Sequence, residues 1–445
     1  MEAPVTRYAS TALGDIAYQV VGDGPIDLLL VNPMSRCIDM LWDYDPSAEI
    51  LQRLAGNCRL ILFDRRGCGI SDPLPADLPP TWEDWLDDML AVLDDVGARD
   101  VVLLAERDAA SAAMLFASSR PERVRALILC NTSARFRVAP GYPAGESYER
   151  AAELAAVWEQ YWGTEKMIAR TRPALAGDPA YVRWMTRMQR AAYSPRRAGA
   201  EFQYIINFDA RAVLNAISAP TLIIHREGFD VVPVAHGRYL AEHIRGARFE
   251  LLPGSDMDVL LPGDHEPLAL IEAFLAAARG GHSDGTLLTT VLLADVPDED
   301  NLVAKLGSVR WNEWRARRRT ILHEALRKFH GRAVVQESND LMVSFDGPAR
   351  ALRFAQSLRK EMRDKMQIEI RIGLHTGEGV RAGGRLDGKA VKIGKGILQA
   401  AQSGEVLASA EVRDLCAGSG IEFHSVGLHQ ISGDAGEREL FALEG

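Results

Sequence analysis

The sequence is poor in several features that would narrow its function at once. Its five cysteines, Cys37, Cys58, Cys68, Cys130 and Cys416, are scattered over 445 residues, and none belongs to a Cys-x-x-Cys pair. An odd, dispersed set argues against a disulfide framework and leaves buried reduced thiols as the expectation. No apolar run approaches the roughly 18 residues of a membrane-crossing helix. The opening MEAPVTRYAS has no apolar signal core, so a cytoplasmic protein without membrane contact is expected. Basic charge is also short: 61 acidic residues against 51 basic give a net charge of -10, which supplies no electrostatic footprint for nucleic acid.

What remains is ordinary globular material, 47% hydrophobic and 25% charged, and long enough for two or three domains. From residue 1 to 278, apolar runs alternate with helical segments. Strands are expected at Ile26–Val31, Arg59–Phe63, Val101–Leu104, Ala126–Cys130, Thr221–His225 and Arg248–Leu252. Helices are expected at Trp82–Val96, Ala109–Ser119, Val234–Ile244 and Pro267–Ala278. Such alternation implies a mostly parallel sheet covered on both faces. Residues 139–208 break it with an aromatic-rich helical stretch, read as a cap over the sheet. Residues 279–286, with adjacent glycines, read as a linker. Residues 287–445 then form a second domain. There a strand within TTVLLADV is followed by an Arg-rich helix at Trp311–Phe329, a hairpin-like pair Arg332–Gln336 and Leu341–Phe345, helix Pro348–Arg363, strand Gln367–Leu374 and helix Val391–Ala401.

Four stretches of the first region, LILFDRRGCGISDP, RPERVRALILCN, APTLIIHREGFDVVPVAHGRYLAEHI and ELLPGSDMDVLLPGDH, together resemble an α/β-hydrolase. That resemblance implies a nucleophile on a sharp strand-to-helix turn, a histidine that takes its proton, and an acid that orients the histidine. Matched on their flanks, the three positions fall on Arg107, Met257 and Phe229. Arginine stays protonated and is no nucleophile. Phenylalanine offers no acceptor and methionine moves no proton. The turn glycines are Ala105 and Ala109, so a relaxed turn is expected, and Pro33 removes one N–H from the loop Asn32-Pro33-Met34-Ser35.

Three readings stay open here. Arg107 pairs structurally with Glu106, Asp108 or Asp230. Or the cavity persists as a binding site for a small, possibly anionic, ligand, with Arg107 at its floor and Met34, Phe229 and Met257 around it. Or Arg107, Asp108 and Asp230 perform a lyase, isomerase or cyclisation reaction.

In the second region, TTVLLADVPDED, QESNDLMVSFDGPARALRFAQSL, RIGLHTGEGV and AQSGEVLASAEVRDLCAGSGIEF resemble a class III nucleotide cyclase domain. The fold class expected is thus an α/β-hydrolase fold followed by an α+β, ferredoxin-like cyclase domain. The resemblance implies that Asp295 and Asp340 hold Mg²⁺ or Mn²⁺, and that the domain forms a homodimer. Other positions depart from the family: Gln336 replaces a base-reading lysine, Arg385 a purine-selecting acid (Asp387 stands close to it), Lys392 an asparagine and Gly396 an arginine. The loop Pro297-Asp298-Glu299-Asp300 would repel a triphosphate. A weak metal-dependent cyclase therefore remains the third functional reading, behind a ligand-binding, dimerising regulatory protein and a repurposed enzyme.

Overall fold

A computed structural model of the chain describes residues 3–73, 81–278, 287–297, 299–334, 341–382, 385–431 and 437–443. The chain divides into two compact units, Met1–Asp284 and Gly285–Gly445. The expected linker at 279–286 lies outside the described residues.

The first unit begins with β1 (Arg7–Thr11), β2 (Gly14–Val21), β3 (Asp27–Val31), α1 (Asp45–Ala55), β4 (Arg59–Phe63), α2 (Trp82–Asp95), β5 (Val101–Glu106), α3 (Ala109–Ser119) and β6 (Val124–Cys130). Four cap helices follow: α4 (Tyr148–Tyr161), α5 (Glu165–Thr171), α6 (Pro179–Ala192) and α7 (Pro195–Ile205). β7 (Thr221–Arg226), α8 (Val234–His243), β8 (Arg248–Leu252) and α9 (Glu266–Ala277) complete it. The strand order is β1-β2-β4-β3-β5-β6-β7-β8. Strands β3 to β8 run parallel, and the antiparallel pairs are β1–β2 and β2–β4.

Strand β5 lies inside this sheet, between β3 and β6, and all six of its residues are buried. A parallel strand covered on both faces has no polar side to show, which is why VVLLA reads as a continuous apolar run. Helix α3 is buried along its whole length; its small alanines and serines let it lie close to the sheet. Helix α2 starts at a capping box, in which Thr81 and Asp84 each satisfy the other's backbone N–H. The cap has its own aromatic core, with Trp158 stacked on Phe202 at 4.6 Å. Met34, Phe229 and Met257 from the sheet side join that same buried cluster.

The second unit contains β9 (Leu287–Asp295), α10 (Glu299–Lys328), β10 (Arg332–Ala333), β11 (Leu341–Phe345), α11 (Pro348–Met366), β12 (Arg371–Ala382) and β13 (Arg385–Asp387). After these come α12 (Lys389–Ala400), β14 (Val406–Ser409), α13 (Ala410–Leu415), β15 (Phe423–Gln430) and β16 (Glu437–Leu443). The sheet order is β10-β11-β9-β12-β14-β16-β15, with β13 paired to β12. Only β12 and β14 pair in parallel. Gly373 permits the close approach of α12 to β12, since a Cβ there would lie 2.4 Å from Leu398 N. The strand expected from Gln367 begins instead at Arg371. Helix α11 continues to Met366, and Gln367 caps it in the left-handed region at φ 55°. No helix among the described residues is long and apolar enough to cross a membrane.

Candidate functional site

Between β5 and α3 the chain turns on two residues, Arg107 and Asp108. Arg107 has φ 52°, a left-handed conformation that strains a residue with a side chain by about 1 kcal/mol. The expected relaxation of this turn does not occur, despite the alanines at 105 and 109. Hydrogen bonds hold it from both sides. Arg107 N donates to Cys130 O at 2.9 Å, and Thr132 Oγ1 donates to Arg107 O at 2.7 Å.

The side chain of Arg107 does not pair with Glu106, Asp108 or Asp230, as expected, but with Asp258. Nη1 donates to Asp258 Oδ1 at 2.8 Å, and Nη2 donates to Ser35 Oγ at 3.1 Å. Arg172, just past α5 in the cap, donates from Nε to Asp258 Oδ2 at 2.6 Å. Arg36 lies 2.8 Å from Glu106 Oε2 and 3.5 Å from Asp258 Oδ1. Burial works to raise the Asp258 carboxyl, but Arg172, Arg107 and Arg36 together hold it below the usual range. Burial likewise works against the charge on all three arginines. Glu106 and Asp258 lift Arg36 above its ordinary value, and Asp258 does the same for Arg172. Arg107 alone ends up lowered, because Asp258 only partly offsets burial and the other two arginines repel it.

Asp108 belongs to a second buried group. Arg65 Nη2 lies 2.8 Å from its Oδ2 and 3.7 Å from Glu201 Oε1. Met34 N donates to Asp108 Oδ2 at 3.1 Å. That amide belongs to the loop from which a hydrolase would take an oxyanion donor. Here a carboxylate already occupies it.

These residues border one cavity between sheet and cap, about 740 Å³ counted out to its mouth. Met34, Arg107, Asp108, Phe229 and Met257 all line it, together with Ser35, Phe136, Trp158, Trp162 and Phe202. The three positions that the resemblance assigns to nucleophile, acid and base, Arg107, Phe229 and Met257, thus border one cavity. No histidine is among the described lining residues. Asp230 is a correction. It turns away from the cavity, half exposed, and accepts two hydrogen bonds from Arg170 at 2.9 Å. Its neighbours Phe229 and Val231 line the cavity instead.

In the second unit, Asp295 closes bidentately on Arg371, at 2.7 and 2.9 Å. Both oxygens that a cation would need are occupied, and no cluster of three metal-ligating side chains occurs among the described residues. Asp340 and Gln336 lie outside the described residues. Arg385 opens β13, Lys392 is exposed on α12, and Gly396 is buried on the same helix.

Sequence reasoning did not single out Arg36, Arg65, Arg172, Glu201 or Asp258. Asp258 meets its partners from 86 and 151 residues away, so no local pattern marks it. The doubled acid in Asp256-Met257-Asp258 was the one available signal.

Comparison with known proteins bears on the first unit. The family model described as "alpha/beta hydrolase fold" matches residues 41–263. Serine hydrolase BPHL of Mus musculus is 24% identical over 260 residues, 58% of this chain and 82% of that protein. An esterase from Exiguobacterium antarcticum superposes with a TM-score of 0.52 at 19% identity, over 61% of this chain and 99% of that one. The adenylyl cyclase CyaB from P. aeruginosa aligns with 36% of this chain and 94% of its own, at 19% identity and a TM-score of 0.33.

Proposed function

Because residues 41–263 place this chain in the α/β-hydrolase fold family, we propose that its first unit keeps the family's cavity for binding a small, largely apolar ligand and does not hydrolyse it. One observation carries this reading. The three positions that would hold the nucleophile, acid and base are Arg107, Phe229 and Met257, and all three line a single aromatic-walled cavity. A pocket of this kind, concave and apolar with a few polar groups at one end, suits recognition of a small molecule. The hydrolase and esterase relatives supply the scaffold, and their chemistry has no counterpart in these side chains.

The competing reading, a lyase or isomerase using Arg107 with Asp108 and Asp230, is weakened. Arg107 and Asp108 are held by different partners, and Asp230 is at the surface. For the second unit we propose a class III cyclase-like architecture that dimerises through residues 287–445 and gives the protein a regulatory role. Asp295 pairs with Arg371 rather than standing open, which favours a domain without cyclase turnover.

Native mass spectrometry of the full chain, with solvent extraction of the same sample, tests the first part. A bound organic molecule, lost on Arg107→Ala, with no turnover of aryl esters, is the expected result. Steady hydrolysis of such esters by the wild type, removed by the same substitution, would overturn it. Sedimentation of the full chain against Leu440→Asp or an equivalent sheet disruption is less clean than a simple concentration series, in which a dimer is expected and a monomer at all concentrations refutes the assembly.

A further inference from the structure

Resting on the binding reading above, we infer that the cavity of the first unit takes an apolar monocarboxylic acid, with its carboxylate seated against Arg107 and Ser35.

The argument starts from unmatched donors. Ser35 Oγ accepts from Arg107 Nη2 at 3.1 Å and from Arg172 Nη2 at 3.5 Å. Its own proton is left to donate, and no described residue accepts it. Arg107 Nε is buried and makes no hydrogen bond. Buried donors without acceptors are costly and seldom left so. Two of them at one end of a cavity call for a ligand that only accepts. A carboxylate does that with two oxygens.

Charge points the same way. Arg36, Arg107 and Arg172 share two carboxylates, Glu106 and Asp258, and the five side chains are between 0% and 11% exposed. Within this group one positive charge is in excess. Of the surrounding charges, Arg226 is matched by Asp264 at 2.8 Å, and Asp256 takes the Ala174 N–H at 3.0 Å with its carboxyl raised by burial. Asp108 on the cavity wall shares Arg65 with Glu201, which also lies 3.5 Å from Arg197, and Asp209 is shared by Arg135 and Arg211, each at 2.7 Å. The guanidinium left least compensated is that of Arg107, the only one of the three that borders the cavity. A single anionic charge balances it. A phosphate dianion would bring a surplus charge into an aromatic-walled cavity.

The rest of the ligand is largely apolar. Phe136, Trp158, Phe202 and Phe229 form much of the wall, with Ser133 and Gln189 among the polar groups beside them. Flat or chain-like hydrocarbon fits the aromatic part.

The test is a titration of the full chain, read by calorimetry and by the emission of Trp158 and Trp162. The probes are phenylacetate, 3-phenylpropionate, hexanoate and octanoate, each paired with its primary amide. At neutral pH at least one acid is expected to bind about tenfold or more tighter than its amide, the scale of a hydrogen bond to a charged group. Arg107→Met should erase that preference. The same variant brings the buried group to two arginines and two carboxylates, so its unfolding midpoint without ligand should not fall below the wild type's. A purely structural Arg107 predicts a large fall, and that result would overturn the inference. Ser35→Ala removes a donor without touching any charge, and should weaken the acid severalfold while sparing the amide. Equal binding of acid and amide by the wild type would sink the carboxylate and leave the binding cavity standing. Failure of every probe, with no molecule extracted from the protein, would remove both.

Discussion

The two oxygens of Asp258 are divided between the cap and the strand–helix turn: Arg172 holds Oδ2 at 2.6 Å, and Arg107 holds Oδ1 at 2.8 Å. One buried carboxylate thus joins two parts of the first unit that are far apart in sequence. Asp258→Asn should lower stability by about 3–5 kcal/mol, the scale of leaving buried charge unpaired. Three guanidinia would then share Glu106 alone. Chemical denaturation checks the loss, and limited proteolysis should cut first within the cap. A midpoint within error of the wild type would show that water solvates these arginines.

Asp230 gives the opposite expectation. Its pair with Arg170 is exposed, with side chains 58% and 37% accessible. Exposed pairs contribute about 0–1 kcal/mol and weaken with salt. Asp230→Ala should therefore shift stability by less than about 1 kcal/mol and leave ligand retention unchanged. Loss of the bound molecule in that variant would return Asp230 to the site.

His236 sets a pH dependence. It is buried, with Nδ1 2.6 Å from the Tyr142 hydroxyl. Burial, helped by nearby His225, lowers it from 6.5 to about 4. The unfolded chain then binds a proton that the folded one refuses. Stability from this group is complete above pH 6.5 and is lost as pH falls towards about 4. The loss is on the order of 3 kcal/mol. His236→Gln should flatten the denaturation midpoint over that window, and an unchanged slope would rule the group out.

Asp295 and any divalent cation compete for the same two oxygens with Arg371. Manganese or magnesium at millimolar concentration should not raise the melting temperature of the wild type, and a chelator should not lower it. A metal-dependent rise that disappears in Asp295→Asn would show that the Arg371 pair gives way.

Much of the first unit could be read from its residues, because parallel strands covered on both faces are unbroken apolar runs. Arg59–Phe63 and Arg248–Leu252 are strands over the ranges expected, and Ala109–Ser119 is the helix expected. The β1–β2 hairpin was not anticipated. In β1 only Ala9 is fully buried, so no apolar run announces it. The location of the site followed from flanking sequence, which fixes where a backbone turns. The partners did not follow. Whether Arg107 meets Asp108 or Asp258 depends on the direction a side chain takes after the turn, and at Arg107 the left-handed backbone sends it away from its neighbour. Asp295 and Arg371 meet across adjacent strands 76 residues apart, again with no local mark.

The strained turn at Arg107 has a consequence for how such a protein can change. The backbone holds its left-handed angle although the side chain it presents is no longer a nucleophile and the flanking glycines are gone. Thr132 and Cys130 hold that angle through main-chain atoms of the turn. The turn is therefore a pedestal: the backbone around it carries the strain, and whatever side chain stands at position 107 is delivered to the cavity floor.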